Sequence, residues 1–240
     1  MAKAKTKQTG LSALGSLSFK GELVLGALVA ELIGTFVLTF AILNATGNII
    51  IVALSVLVLS LALAKLSGGH VNPATTVALA ATKQISVVKA VGYLVAQFLG
   101  AMLAVVIATH FMNAEAVANS GAKVFTLFGP DRPAGHWKPF FGELVGAIIF
   151  GFGVASTYLG KKEGYDAAFT IGGSLLIGLL IATAGSYAVL NPAVALGLGG
   201  YAQGGWWSIS AYGLAPLIGA AAGAWLYKLL QTDVDNAVSA

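Results

Sequence analysis

The tripeptide Asn-Pro-Ala occurs twice, as Asn72-Pro73-Ala74 and as Asn191-Pro192-Ala193, and each copy interrupts apolar sequence in its own half of the chain. Proline suits the first position of a helix, and asparagine suits the N-cap because its side chain accepts from free backbone N–H groups. Each triplet therefore predicts a helix that begins inside hydrophobic sequence. One copy alone is typical of an ordinary turn, but two copies at matching places indicate a pore inside a membrane.

The composition argues against a soluble domain. Of the 240 residues 58% are hydrophobic and 9% are charged, whereas soluble domains carry about 25% charged residues. So little charge could not cover a surface in water, which favours a membrane protein. The chain has no cysteine, and this excludes disulfides and thiolate metal sites. Its net charge of +4 lies in short connections and does not form a nucleic-acid-binding stripe.

Six apolar segments are long enough to cross about 30 Å of hydrocarbon, which takes roughly 20 residues. They are residues 22–44, 47–66, 87–111, 139–160, 167–184 and 206–230. Two shorter apolar segments, 73–83 and 192–200, follow the triplets. We expect these two to form half-helices that dip into the membrane, which requires that they be buried in protein or line a water-filled cavity. The predicted fold class is an all-α membrane protein with six transmembrane helices and two re-entrant half-helices.

The two halves of the chain repeat each other. Ala30-Glu31-Leu32-Ile33-Gly34 is similar to Gly142-Glu143-Leu144-Val145-Gly146, and each half runs span, span, half-helix, span. Three spans per half give the second copy the opposite orientation, so we expect an inverted repeat with its functional site near the membrane midplane. The predicted organisation is a tail, 1–21, one channel domain, 22–230, and a disordered tail, 231–240. The domain has halves 22–111 and 139–230 joined by an external loop, 112–138.

The distribution of basic residues predicts the orientation, because cytoplasmic connections are enriched in lysine and arginine. With the amino terminus inside, only Lys123, Arg132 and Lys138 fall on the external side. The cytoplasmic set is Lys3, Lys5, Lys7, Lys20, Lys65, Lys83, Lys89, Lys161, Lys162 and Lys228. We therefore expect both termini in the cytoplasm and the protein in the plasma (inner) membrane.

The two half-helix starts predict a barrier to charge. Each helix N-terminus presents about half a positive charge and free N–H groups, so two that meet near the midplane oppose protons and cations but admit neutral molecules. Asn72 and Asn191 each have an amide NH₂ that can donate to a passing oxygen. The carbonyls that precede each triplet lack helical partners and are expected to accept from the permeant. They belong to Gly69, His70, Val71, Ala188, Val189 and Leu190.

Other classes of protein fit these patterns less well. No nucleophile–base pair, metal-ligand cluster or phosphate loop appears, so we predict neither an enzyme nor a cofactor or metal. A coupled secondary transporter shares inverted repeats and broken helices, and a structural membrane protein with a closed pore is a further alternative. Within the spans, Glu31 and Glu143 are the candidates for proton coupling, although their repeat symmetry favours a structural role.

The motifs resemble those of the major intrinsic protein family, the aquaporins and glycerol facilitators. The similarity covers about residues 22–230 and rests on residues 30–36, 67–76 and 190–193, on Tyr93, Gln97 and Gly100, and on 203–206 and 216–220. It implies six tilted helices and two half-helices, a pore in each subunit and a homotetramer. It also implies that Glu31 and Glu143 are buried and bind the backbone of the half-helix loops, and that water and small neutral solutes are the permeants.

One departure from the family concerns its external filter. Members typically have arginine three residues after the second asparagine, whereas this chain has Val194. The resemblance places the other filter positions at Val52, Leu179 and Ala188, so the ring has no side-chain donor. We expect a wider ring that admits small uncharged solutes such as glycerol, urea, ammonia or peroxide as well as water, although apolar rings can also dewet. A replacement charge from Arg132 and pH gating by His70 remain hypotheses.

Overall fold

A computed structural model describes residues 18–19, 23–45, 47–112, 137–201 and 205–239. A short antiparallel pair, β1 (Ser18–Phe19) and β2 (Leu23–Val24), precedes the helices. The helices are α1 (Leu25–Asn44), α2 (Ile49–Leu63), α3 (Pro73–Ala81), α4 (Val87–Phe111), α5 (Trp137–Leu159), α6 (Gly164–Ala182), α7 (Pro192–Gly197) and α8 (Trp206–Ser239). Most of the predicted external loop, including Arg132, lies outside the described residues.

Five described helices, α1, α4, α5, α6 and α8, are long and apolar enough by length and composition to cross a membrane. The predicted span 47–66 is shorter than expected, because α2 covers only 15 residues. Asn48 caps its start by accepting from the N–H groups of Ile50 and Ile51. At its other end the carbonyl of Leu63 accepts from several later N–H groups, which closes the helix and turns the chain toward α3.

The last helix also differs from expectation. We predicted that residues 231–240 form a disordered tail, but α8 continues through them as far as Ser239. Near its beginning, Ser210–Leu214 forms a π-helical turn. Pro216 explains this irregularity, because it has no N–H to donate to the carbonyl of Tyr212. That carbonyl lies 3.4 Å from the hydroxyl of Tyr201.

The packing follows the sequence repeat. Helix α1 packs on α4 in the first half, as α5 packs on α8 in the second. A Cβ on Gly100 would clash with the carbonyl of Leu32, and one on Gly219 would clash with the carbonyl of Leu144, so glycine permits both close crossings. Each half-helix packs on the last span of the other half: α3 on α8, and α7 on α4. Each half of the chain therefore packs against the half-helix of the other, and the starts of α3 and α7 lie together.

Candidate functional site

The two Asn-Pro-Ala triplets begin the half-helices, as local chemistry predicts. Asn72 caps α3, where its Oδ1 accepts from the N–H of Ala74 at 2.8 Å. Asn191 caps α7, where its Oδ1 accepts from the N–H groups of Ala193 and Val194 at 3.1 and 3.2 Å. A proline follows each cap in the first turn. Because both amide oxygens serve as caps, both amide nitrogens point away from their own helix.

Each of these amide nitrogens binds the opposite loop. Asn72 Nδ2 donates to the carbonyl of Leu190 at 3.0 Å, and Asn191 Nδ2 donates to the carbonyl of Val71 at 3.1 Å. Val71 and Leu190 directly precede the two asparagines, so the bonds are related by the repeat. All four residues are buried. The carbonyls of Val71 and Leu190, which we expected to face a permeant, therefore each already accept one hydrogen bond.

A buried carboxylate holds the loop before α3. Glu31 accepts from the hydroxyl of Ser67 at 2.6 Å and from the N–H groups of His70 and Val71 at 2.9 and 2.7 Å. The amide of Gln97 on α4 donates to the same carboxylate at 2.7 Å. Four donors around one buried carboxylate compensate for its desolvation and fix the loop backbone.

The second half repeats this arrangement with one donor fewer. Glu143 accepts from the hydroxyl of Ser186 at 2.7 Å and from the N–H groups of Val189 and Leu190 at 2.9 and 2.7 Å. By position in the repeat, Gln97 corresponds to Pro216, which has no side-chain donor. Both glutamates thus bind the loop backbone directly, the geometry that a structural role requires.

The loops that these glutamates hold have unusual backbone angles. Val71, Ala188 and Leu190 have φ values of 43°, 56° and 48°, although none of them is glycine. Side chains clash with the backbone in this region, and a β-branched residue such as Val71 is the least tolerant. The hydrogen bonds that the two carboxylates accept from these loops offset that strain, and the resulting turn directs the carbonyls away from the helix that follows.

Tyrosine hydroxyls support the same loops, and sequence reasoning did not identify this function for them. The hydroxyl of Tyr93 donates to the carbonyl of Ser67 at 2.7 Å, and that of Tyr158 donates to Gly68 at 3.1 Å. In the second half, Tyr201 donates to the carbonyl of Pro192 at 2.9 Å. Tyr93 and Tyr158 lie 26 and 90 residues from the carbonyls that they bind, so no local pattern could have revealed these two contacts.

Several side chains surround the imidazole ring of His70. Its Nδ1 lies 3.0 Å from the hydroxyl of Thr76, which also accepts from Gln97 at 2.9 Å. The rings of Tyr93 and Tyr158 contact its imidazole edge to face. His70 is therefore fixed by contacts on several sides, whereas His110 is exposed near the end of α4.

Comparison with known proteins identifies the family. The sequence profile described as "Major intrinsic protein" matches residues 18–227. The chain belongs to the major intrinsic protein family. Nodulin-26 of Glycine max is 31% identical over 94% of this chain and 85% of its own length. Aquaporin Z of Rhodopseudomonas palustris is 30% identical over 88% and 95%, and the glycerol uptake facilitator protein-like 6 of Lactiplantibacillus plantarum is 30% identical over 85% and 98%.

A solved structure supports the fold. The aquaglyceroporin from Plasmodium falciparum matches with a TM-score of 0.63 at 24% identity, over 85% of this chain and 93% of that chain. The predicted all-α fold of the aquaporin type is thus confirmed. As a major intrinsic protein, the chain is a multi-pass membrane channel for water and small solutes and is not an enzyme. Neither a coupled transporter nor a closed structural protein is needed to explain it.

The four filter positions implied by the family belong to one hydrophobic cluster. Val52 lies on α2, Leu179 on α6 and Val194 in the first turn of α7, while Ala188 lies in the loop before α7. Their exposed fractions are 7%, 0%, 1% and 6% in the order Val52, Leu179, Val194, Ala188. The wider ring that the loss of the arginine suggests stays a prediction, since these fractions describe how far each side chain is covered and give no pore width.

Proposed function

We propose that this major intrinsic protein conducts water and small uncharged solutes, with glycerol, urea, ammonia and peroxide as candidates, and excludes protons and cations at its centre. The observation that carries the proposal is the pair of bonds from Asn72 to Leu190 and from Asn191 to Val71. These bonds join the two half-helix starts at one level. Relatives named as an aquaporin and as a glycerol uptake facilitator support both classes of permeant.

The asparagine amides supply the central donors in this proposal. Each NH₂ group has two hydrogens, and the opposite carbonyl takes one of them in both halves. The second hydrogen is then left for a permeant oxygen. Because each Oδ1 is engaged as a helix cap, the amide cannot rotate to present its oxygen instead. A water that accepts from both asparagines turns its own hydrogens away, and this interrupts a proton-conducting chain.

The helix dipoles add an electrostatic barrier. Helices α3 and α7 both direct their N-termini toward this point, and each contributes a partial positive charge there. The residues before them provide acceptors that complement the two donors. We assign this role to the carbonyls of Gly69, His70 and Val189, with Val71 and Leu190 contributing their remaining lone pairs. A neutral solute can thus exchange part of its hydration shell for protein contacts, while a cation meets net repulsion.

The filter is the proposed source of solute selection. Val52, Leu179, Ala188 and Val194 offer no side-chain donor, so selection there depends on size and on loss of hydration. Leu179 is the largest of these four side chains, so it contributes most to the limit on permeant size.

We also propose a homotetramer with both termini in the cytoplasm, in the plasma (inner) membrane. The excess of lysine on the side of the termini supports this orientation. Large apolar side chains on α2, such as Leu54 and Val58, are exposed in the single chain and suit either lipid or a neighbouring subunit. Cross-linking in native membranes tests the assembly, and protease access to tagged termini tests the orientation.

Stopped-flow light scattering on proteoliposomes tests the solute range. We expect permeability to glycerol and urea above that of protein-free vesicles, together with water permeability. A protein that passes water but excludes glycerol and urea would contradict the permissive filter while leaving the channel assignment intact.

A further inference from the structure

A cavity of about 630 Å³ opens between α2, α5 and α6, on the side where both termini are predicted. Its wall includes Gly68, in the loop before α3, and Tyr158, whose hydroxyl donates to the Gly68 carbonyl at 3.1 Å. The cavity thus lies against the loop that positions Asn72. Its volume falls within the range of about 300–1,000 Å³ that is typical of ligand sites.

The rim of this cavity is basic. Lys65 at the end of α2 and Lys161 and Lys162 between α5 and α6 all line it, and Glu163 is the one acidic residue among the lining residues. None of the three lysines forms an ion pair with another described residue; Lys162 donates to the hydroxyl of Thr170 at 3.2 Å. Three exposed lysines thus line one concave surface, and the single carboxylate offsets only part of their charge.

A buried hydroxyl in the same wall is unsatisfied. Ser60 on α2 is 5% exposed, and its Oγ has no hydrogen-bond partner among the described residues. Leaving a buried hydroxyl without a partner is destabilising, so such groups usually bind something. Ser60 lines the cavity together with the lysines, and a rotation about its Cα–Cβ bond is needed to present the covered Oγ to an occupant.

We infer that this vestibule binds an oxyanion of the phosphate type at the inner mouth of the pore. Lysine binds phosphate as a point charge, and the serine hydroxyl adds a directed donor once its side chain rotates toward the cavity. The N-terminus of α6 at Gly164 also lines the cavity, and no side chain caps it. The phosphate belongs either to a soluble phosphorylated molecule or to a phospholipid headgroup. An occupant there obstructs the path to Asn72, which gives the channel an anion-dependent control; this last step rests on the proposed function.

Calorimetric titration of the purified full-length protein with inorganic pyrophosphate tests the site without measuring flux. Saturable binding is expected, and the double variant K65Q/K161Q should bind at least about tenfold more weakly. Ser60→Ala should weaken binding about threefold, as loss of one neutral hydrogen bond does. The matched control K83Q/K89Q removes two lysines from the same predicted side but outside the cavity, and it should stay within about twofold of the parent.

No saturable binding, or equal losses in both double variants, would overturn the inference even if the protein conducts solutes normally.

Nanodiscs distinguish the two sources of phosphate. Weaker pyrophosphate binding in nanodiscs of phosphatidylglycerol than in nanodiscs of phosphatidylcholine assigns the site to a lipid headgroup, and unchanged binding assigns it to a soluble anion. In proteoliposomes, pyrophosphate should slow water flux in the parent but not in K65Q/K161Q. Equal slowing of both would contradict the placement at the mouth.

Discussion

Asn72 and Asn191 each donate a side-chain hydrogen bond to the carbonyl directly preceding the other, at 3.0 and 3.1 Å. The two residues are separated by more than a hundred positions, yet their amides and caps form one reciprocal unit. Each amide oxygen holds its own half-helix while each amide nitrogen holds the other loop. Pore centre and fold are thus stabilised by the same side chains, so a change in either asparagine affects both.

Replacement of Asn72 by aspartate separates these roles. The carboxylate keeps the cap on Ala74 but loses the donor to Leu190, and it places negative charge where two helix N-termini meet. A unit charge at 4 Å changes the energy of a cation by about 4 kcal/mol at an effective dielectric constant near 20. We expect proton leak, measured with a pH dye in vesicles, to rise at least about tenfold.

The matched control for this variant is Asn48→Asp. Asn48 also caps a helix through its Oδ1, but it is exposed and lies at the start of α2, away from the half-helices. Its variant should leave proton leak at the parent level. Equal leak from N48D and N72D would show that the central asparagines form no special barrier.

The buried glutamates should differ in their contribution to stability. Glutamine at position 31 or 143 places an NH₂ group against backbone donors, which is destabilising by about 1–3 kcal/mol for each unsatisfied group. Glu31 accepts four hydrogen bonds and Glu143 three. We therefore expect E31Q to lower the thermal unfolding temperature more than E143Q, with the exposed Glu163→Gln as a neutral control. If E31Q kept full stability but lost solute flux, proton coupling through Glu31 would be favoured instead.

Replacement of glycine by alanine should lower stability at the helix crossings and raise it at a glycine outside them. In Gly100→Ala or Gly219→Ala, the new methyl group meets the carbonyl of Leu32 or Leu144, and such overpacking is destabilising by about 1–3 kcal/mol. A Cβ on Gly173, in α6, meets nothing within 4 Å, so Gly173→Ala should stabilise by about 0.5–1 kcal/mol. Unfolding in denaturing detergent measures both, and similar behaviour of all three variants would contradict the crossing geometry.

The half-helices could be predicted from the sequence because their starts are local. Asparagine followed by proline specifies an N-cap and a first turn without help from distant residues, and α3 and α7 begin where the triplets indicate. Their ends were less predictable: α3 stops at Ala81 and α7 at Gly197, earlier than the apolar runs suggest. Hydrophobicity marks which residues are in the membrane, whereas the last hydrogen bond of a helix depends on its neighbours.

Contacts that join distant elements could not be predicted in this way. Nothing near Tyr158 in the sequence indicates that its hydroxyl binds the carbonyl of Gly68, and nothing local pairs Asn72 with Leu190. The width of the filter has the same origin. Family resemblance implies which positions form it, whereas the packing of side chains such as Leu179 and Val194 in their shared cluster determines the space between them.

The proposed filter predicts how solute selection can be changed. Leu179→Ala and Val194→Ala remove apolar bulk from the proposed ring, so glycerol and urea permeability should rise severalfold more than water permeability. Leu79→Ala is the control, since Leu79 is equally buried but lies on α3, outside the ring. Stopped-flow swelling with each solute measures the ratio. An unchanged ratio in both ring variants would place the constriction elsewhere.

The central claim is that two half-helix starts, joined through Asn72 and Asn191, form a passive path for neutral molecules that rejects charge. Simultaneous measurement of water or glycerol flux and of proton flux, in the same proteoliposomes with and without a proton gradient, tests it most directly. The account predicts solute flux above that of protein-free vesicles, independent of the gradient, with proton permeability at the protein-free level. Solute movement that requires the gradient, or proton flux that rises with the amount of protein, would contradict it.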